Sequence, residues 1–128
     1  MAKRIHDNQG ILAFRVPPSL RVRKYDGEHG DVHYVIRAGK STLRIASGPY
    51  WTGKKPAWAG TARRWEAGGF KGEDFRLAQN GRHSRYVTLN APMGFTEYKD
   101  VPAPAAAKFD AILDSLCHTP PKSALPPN

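Results

Sequence analysis

Asp26, Glu28, His29, Asp31 and His33 fall within eight residues. Imidazole beside carboxylate is a donor set that holds a hard or borderline divalent cation. His29, Asp31 and His33 form the tightest part of the group, and Asp31 and His33 share a face if the chain is extended there. His83 is the natural further ligand if its strand pairs nearby. The spacing matches no closed zinc pattern, and polar loops gather such residues without any metal. The same group contains the parts of a His–carboxylate acid/base pair, but no Ser or Cys nucleophile stands in a recognisable setting. A small metal-dependent hydrolase is therefore one reading of the chain, although nothing in it fixes an enzyme. No motif calls for a cofactor.

A second concentration lies between residues 49 and 72. Tyr50, Trp51, Trp58, Trp65 and Phe70 alternate with Lys54, Lys55, Arg63, Arg64 and Lys71. Aromatic faces stack on bases or sugars, while cations attract phosphate or carboxylate. Trp51, Lys54, Lys55, Trp58, Arg63, Arg64 and Trp65 are the candidate ligand-binding residues. The competing reading is a structural lid, with tryptophans folded back over a sheet. No RNA-recognition signature of the common modules is present.

Gly39-Lys40-Ser41 resembles part of a phosphate-binding loop. The full motif requires a glycine where Tyr34 stands and a helix where Thr42–Ser47 alternates as a strand. A hairpin turn is the better account.

These residues need a scaffold, and the alternation supplies it. Val32, Tyr34 and Ile36, then Leu43 and Ile45, repeat with period two on either side of the Gly39 turn, which predicts a central hairpin. Further strands are expected over 10–16, 20–25, 73–79, 82–89 and 94–99. Leu20 and Val22 should point inward and Arg21 and Arg23 outward. Asn80-Gly81 marks another hairpin, and its return strand puts His83, Arg85, Val87 and Leu89 on one face. A helical turn is expected over 61–67, stopped by Gly68-Gly69. The main helix spans 104–116, with Phe109, Ile112, Leu113 and Leu116 as its apolar stripe and Lys108, Asp110 and Asp114 facing water. Cys117 falls late on that helix, packed and inert.

The expected fold class is α+β: a twisted antiparallel sheet of about six or seven strands packed by a C-terminal amphipathic helix. Residues 1–118 read as a single domain and 119–128 as a Pro-rich tail. The chain of 128 residues is basic, with a net charge of +9. Residues 1–99 carry 18 Lys or Arg against 8 Asp or Glu, whereas the remainder is slightly acidic. Such a body attracts polyanions, nucleic acid among them. No apolar run approaches the ~20 residues of a membrane span, so the chain reads as soluble. It is cytoplasmic as written, or exported if a leader peptide was removed. Its single cysteine allows no intrachain disulfide.

Two segments resemble the PsbP-like family. ILAFRVPPSLRV is similar to its opening strand, proline turn and second strand, and AAAKFDAILDSL to its closing helix. The resemblance covers about a quarter of the chain. It implies an antiparallel sheet packed between helices, in a protein that binds or assembles rather than catalyses. No functional residue carries over, and the family's helix after the first strands has no counterpart here. Together these features point to a non-catalytic binding or assembly module with an unknown anionic ligand or protein partner. Nucleic-acid binding through the same basic surface is the alternative.

Overall fold

The computed structural model describes residues 3–6, 12–27, 31–48, 56–90 and 93–118. The main sheet has seven antiparallel strands in the order β3-β4-β5-β9-β8-β7-β6. These are β3 (Arg21–Asp26), β4 (Val32–Ala38), β5 (Ser41–Ser47), β6 (Arg63–Ala67), β7 (Phe70–Gln79), β8 (Arg82–Asn90) and β9 (Met93–Pro102). A three-stranded sheet is formed by β1 (Lys3–His6), β2 (Leu12–Val16) and β10 (Cys117–His118), with β2 in the middle. The single helix among the described residues, α1 (Ala103–Asp114), follows β9 directly.

The fold is mostly β, and this corrects the expected α+β class. One 12-residue helix stands against ten strands among the described residues, and the helical turn expected over 61–67 from its Ala, Arg and Glu content does not add to it. Residues 63–67 pair instead with β7 as the sheet's edge strand, Trp65 opposite Gly72. Burial of Trp65 in the core outweighs a local preference worth only tenths of a kcal/mol per residue. Gly68 and Gly69 do not stop a helix. Both have positive φ, 52° and 92°, and form the two-residue turn of the β6–β7 hairpin. Gly72 lacks a Cβ for a different reason: one would lie 1.6 Å from the carbonyl oxygen of Thr88 on β8.

The core lies between the inner face of the main sheet and a cover made of β2 and α1. Tyr34, Ile36, Leu43, Ile45, Val87 and Leu89 contribute from the sheet. Leu12, Phe14 and Val16 contribute from β2, and Phe109, Ile112 and Leu113 from α1. Phe14 meets Tyr34 edge-on, with ring centroids 5.1 Å apart, and Tyr98 meets Phe109 at 5.7 Å. The cover is itself stitched together, since Ser115 Oγ accepts the Arg15 N–H at 2.7 Å.

Two further expectations are corrected. Cys117 is not helical but opens β10, paired with Ala13. Asp110 does not face water alone; it is half-buried and accepts hydrogen bonds from two sheet residues. Residues 119–128, read as a Pro-rich tail, lie outside the described residues. No helix is long and apolar enough to cross a membrane among the described residues.

Candidate anion-binding face

The strand period that turns Val22, Tyr34, Ile36 and Ile45 inward turns their neighbours to the opposite face of the sheet. There Arg21 and Arg23 on β3, Arg37 on β4 and Arg44 on β5 are all exposed. Arg21 stands directly across from Arg37. Arg23 and Arg44 stand across from Val35, on either side of it. Directly opposed residues on a sheet have Cβ atoms about 4.5–5.5 Å apart, and like charges so placed destabilise the pairing. Among the described residues, the carboxylates on this part of the face are two. Glu97 lies opposite Arg44, and Asp31 Oδ2 is 2.5 Å from His33 Nε2. Neither forms an ion pair with Arg21, Arg23 or Arg37, which stand as a cationic cluster. Tyr25, 46% exposed, continues the row on β3, and Arg23 Nη1 reaches its hydroxyl at 3.5 Å.

Further along the same face lies a small aromatic cluster of Phe75, Tyr86 and Phe95 with Ala46. Tyr86 and Phe95 stack with centroids 5.7 Å apart. Trp58, Ala59 and Ala62 pack over them. Trp58 Nε1 and Tyr86 Oη are buried without a hydrogen-bond partner among the described residues, a cost of roughly 1–3 kcal/mol each. Burial, and after it the charge of Glu97, pushes the Tyr86 hydroxyl pKa up.

The candidate residues of the 49–72 segment thus separate. Trp58 is half-buried as a cover, and Trp65, 8% exposed, belongs to the main core. Arg63 and Arg64 are both exposed on the edge strand, where alternation sends them to opposite faces. Arg64 shares the outer face with the arginine cluster. Trp51, Lys54 and Lys55 lie outside the described residues.

The candidate metal ligands separate as well. His29 lies outside the described residues, while Asp31 and His33 are paired with each other. His33, Ala46, Phe95 and Thr88 form one cross-strand row. His83 is three strands over and five residues along from His33, a separation of about 20 Å. No group of three His, Cys, Asp or Glu side chains is placed to hold a metal among the described residues.

A constellation on the inner face departs from the sequence-based expectation. Arg85, 1% exposed, donates through Nε and Nη2 to both oxygens of Asp74, at 3.0 and 3.1 Å. Its Nη1 donates to Asp110 Oδ1 on α1 at 2.8 Å, and the Tyr98 hydroxyl donates to the same oxygen at 2.9 Å. Burial works against the Arg85 charge, but hydrogen bonds and attraction from Asp74, then Asp110, outweigh it and raise its pKa. For Tyr98, burial first and then the bond to Asp110 push the hydroxyl pKa well up. The signal is present in the sequence: the period that turns Val87 and Leu89 inward turns Arg85 inward with them. A charge at an inward position demands carboxylate partners.

Comparison of the chain with family models, curated proteins and solved structures returns no match.

Proposed function

We propose that this chain is a non-catalytic binding or assembly module whose contact surface is the arginine-bearing outer face of the main sheet, with Arg64 at its far edge. Its ligand is anionic. The observation that carries this reading is the exposed Arg21–Arg37 pair, with Arg23 beside it. Three cations on adjacent strands repel one another in the free protein, and an anion laid across β3 and β4 relieves that repulsion. The PsbP-like resemblance, with its non-catalytic members, supports the same class of function. Titrating the labelled protein with a heparin-derived oligosaccharide while following backbone amide shifts tests the surface. Shifts should concentrate on 21–25, on 33–37 and at Arg44. Shifts confined to other parts of the chain would refute this face.

Nucleic acid is the second reading, favoured by Tyr25. An exposed aromatic ring beside arginines on an open sheet is the arrangement on which unpaired bases stack. A single-stranded oligonucleotide that binds more tightly than the oligosaccharide at equal salt, and loses that margin in Tyr25→Ala, would favour it over the first.

A further inference from the structure

A cleft opens where β5 and β9 part. Their pairing runs from Ser47 opposite Gly94 to Leu43 opposite Tyr98, yet β5 begins at Ser41 and β9 continues to Pro102. Beyond Tyr98, β9 stays with β8 alone, pairing Val101 with His83 and Pro102 with Arg82 after an irregularity. Asp100 turns the strand with a positive φ of 56°. Its N–H donates to Ser84 Oγ at 2.8 Å, and its carboxylate lies 3.6 Å from Arg82 Nε. The space left between the β4–β5 turn, the diverging end of β9 and the first turn of α1 has a volume of about 830 Å³. That is the size of a small-molecule site.

The lining is divided. Leu20, Val101 and Ala105 provide a buried apolar wall. Lys40, Lys99 and Lys108 come from three different elements and are all exposed at the cleft. Of the carboxylates there, Asp100 is paired with Arg82, and Glu97 stands opposite Arg44 in register. Among the described residues, none of these three ammonium groups forms an ion pair with a carboxylate. Ser41 and Thr42 add hydroxyls, and the first turn of α1 carries no acidic residue. Lysine is a compact point charge suited to phosphate oxygens.

We propose that this cleft binds a small oligoanion of the diphosphate-ester class. Its charged end would lie among Lys40, Lys99 and Lys108 and its organic body against Leu20, Val101 and Ala105. Arg21, Arg23 and Arg37 do not line the cleft, and the proposal does not depend on that face having a ligand.

The test is calorimetric titration of the whole chain with inorganic pyrophosphate, joined to amide-shift mapping. The expected result is saturable one-to-one binding, with shifts confined to 39–42 and 99–108. Replacing Lys40, Lys99 and Lys108 with Gln should weaken it at least about tenfold, the worth of roughly one charge-assisted hydrogen bond. Pro104→Glu is the second variant. It sets a negative charge at the cleft but at a helix start, where that charge suits the helix. It should weaken binding with Tm unchanged. The Arg21, Arg23, Arg37→Gln variant should bind as the parent does. Absence of saturable binding would overturn the proposal. So would binding that the arginine variant reduces and the lysine variant does not, since that marks diffuse attraction to the outer face.

Discussion

Arg85 and Asp74 form a two-pronged ion pair across β8 and β7, both side chains buried, with N···O distances of 3.0 and 3.1 Å. Asp110 closes the arrangement from α1, so one guanidinium ties the helix to the sheet. Removing one partner of such a pair strands a buried charge. Arg85→Met should destabilise the protein by about 3–5 kcal/mol. Arg85→Lys should recover only part of this, because an ammonium cannot engage Asp74 and Asp110 together through a planar fork. Chemical denaturation of the two variants checks both statements, and an unmoved midpoint for Arg85→Met would remove the network from the account of stability.

The same network sets an alkaline limit. The Tyr98 hydroxyl is held above its ordinary value of 10.0 by burial and then by Asp110. A group with a raised folded-state pKa contributes fully below the unfolded value, and that contribution falls as pH rises above it. Between the ordinary and the raised pKa, stability should drop by about 1.4 kcal/mol per pH unit on account of Tyr98. Tyr98→Phe should start less stable, by about 1.5–3 kcal/mol for the missing bond to a carboxylate, and should show a shallower decline from pH 10 upward. Denaturation midpoints across that window, parent against variant, measure the difference.

Leu113 is fully buried on the helix face that meets the sheet. Leu113→Ala should cost about 2–5 kcal/mol. A midpoint equal to the parent's would detach α1 from the core.

Trp58 discriminates cover from contact surface. Its ring packs on the Phe75–Tyr86–Phe95 cluster. Trp58→Ala should therefore lower stability by about 3 kcal/mol or somewhat less, as the ring is only half-buried. Weaker affinity for an oligonucleotide with stability intact would instead make it a stacking platform.

Much of the scaffold is legible in the sequence because period-two burial is written directly in side-chain type. The hairpin around Gly39 appears as β4 and β5, and Asn80 and Gly81 both take the positive φ that their turn demands. Phe109, Ile112 and Leu113 face the core as their spacing predicts. The expected α+β class fails because one short helix accompanies ten strands among the described residues; β6 is one of these by tertiary packing of Trp65, not by propensity. β1 and β10 are short segments at the two ends of the chain that acquire strand character only by pairing with β2. The arginines of β3 read as outward from alternation, but their standing opposite Arg37 depends on the β3–β4 register, which alternation alone does not fix. Asp110 looks solvent-facing on a helical wheel. Its engagement follows from Arg85 lying within reach on the sheet, a long-range relationship absent from local pattern.

The binding role of the outer face is tested most directly by the salt dependence of polyanion binding, parent against the Arg21, Arg23, Arg37→Gln variant. Fluorescence anisotropy of a labelled single-stranded oligonucleotide, and in parallel a labelled heparin fragment, gives affinity over a salt series. At least one of these probes should bind the parent at low salt. On the oligonucleotide, a bound variant should show a slope of log affinity on log salt shallower by about 0.7 for each phosphate it no longer neutralises. The variant's own stability should change by less than about 0.5 kcal/mol, because the three side chains are exposed. If neither polyanion binds at low salt, or if the variant binds with the parent's affinity and slope, the arginine face is not the contact surface.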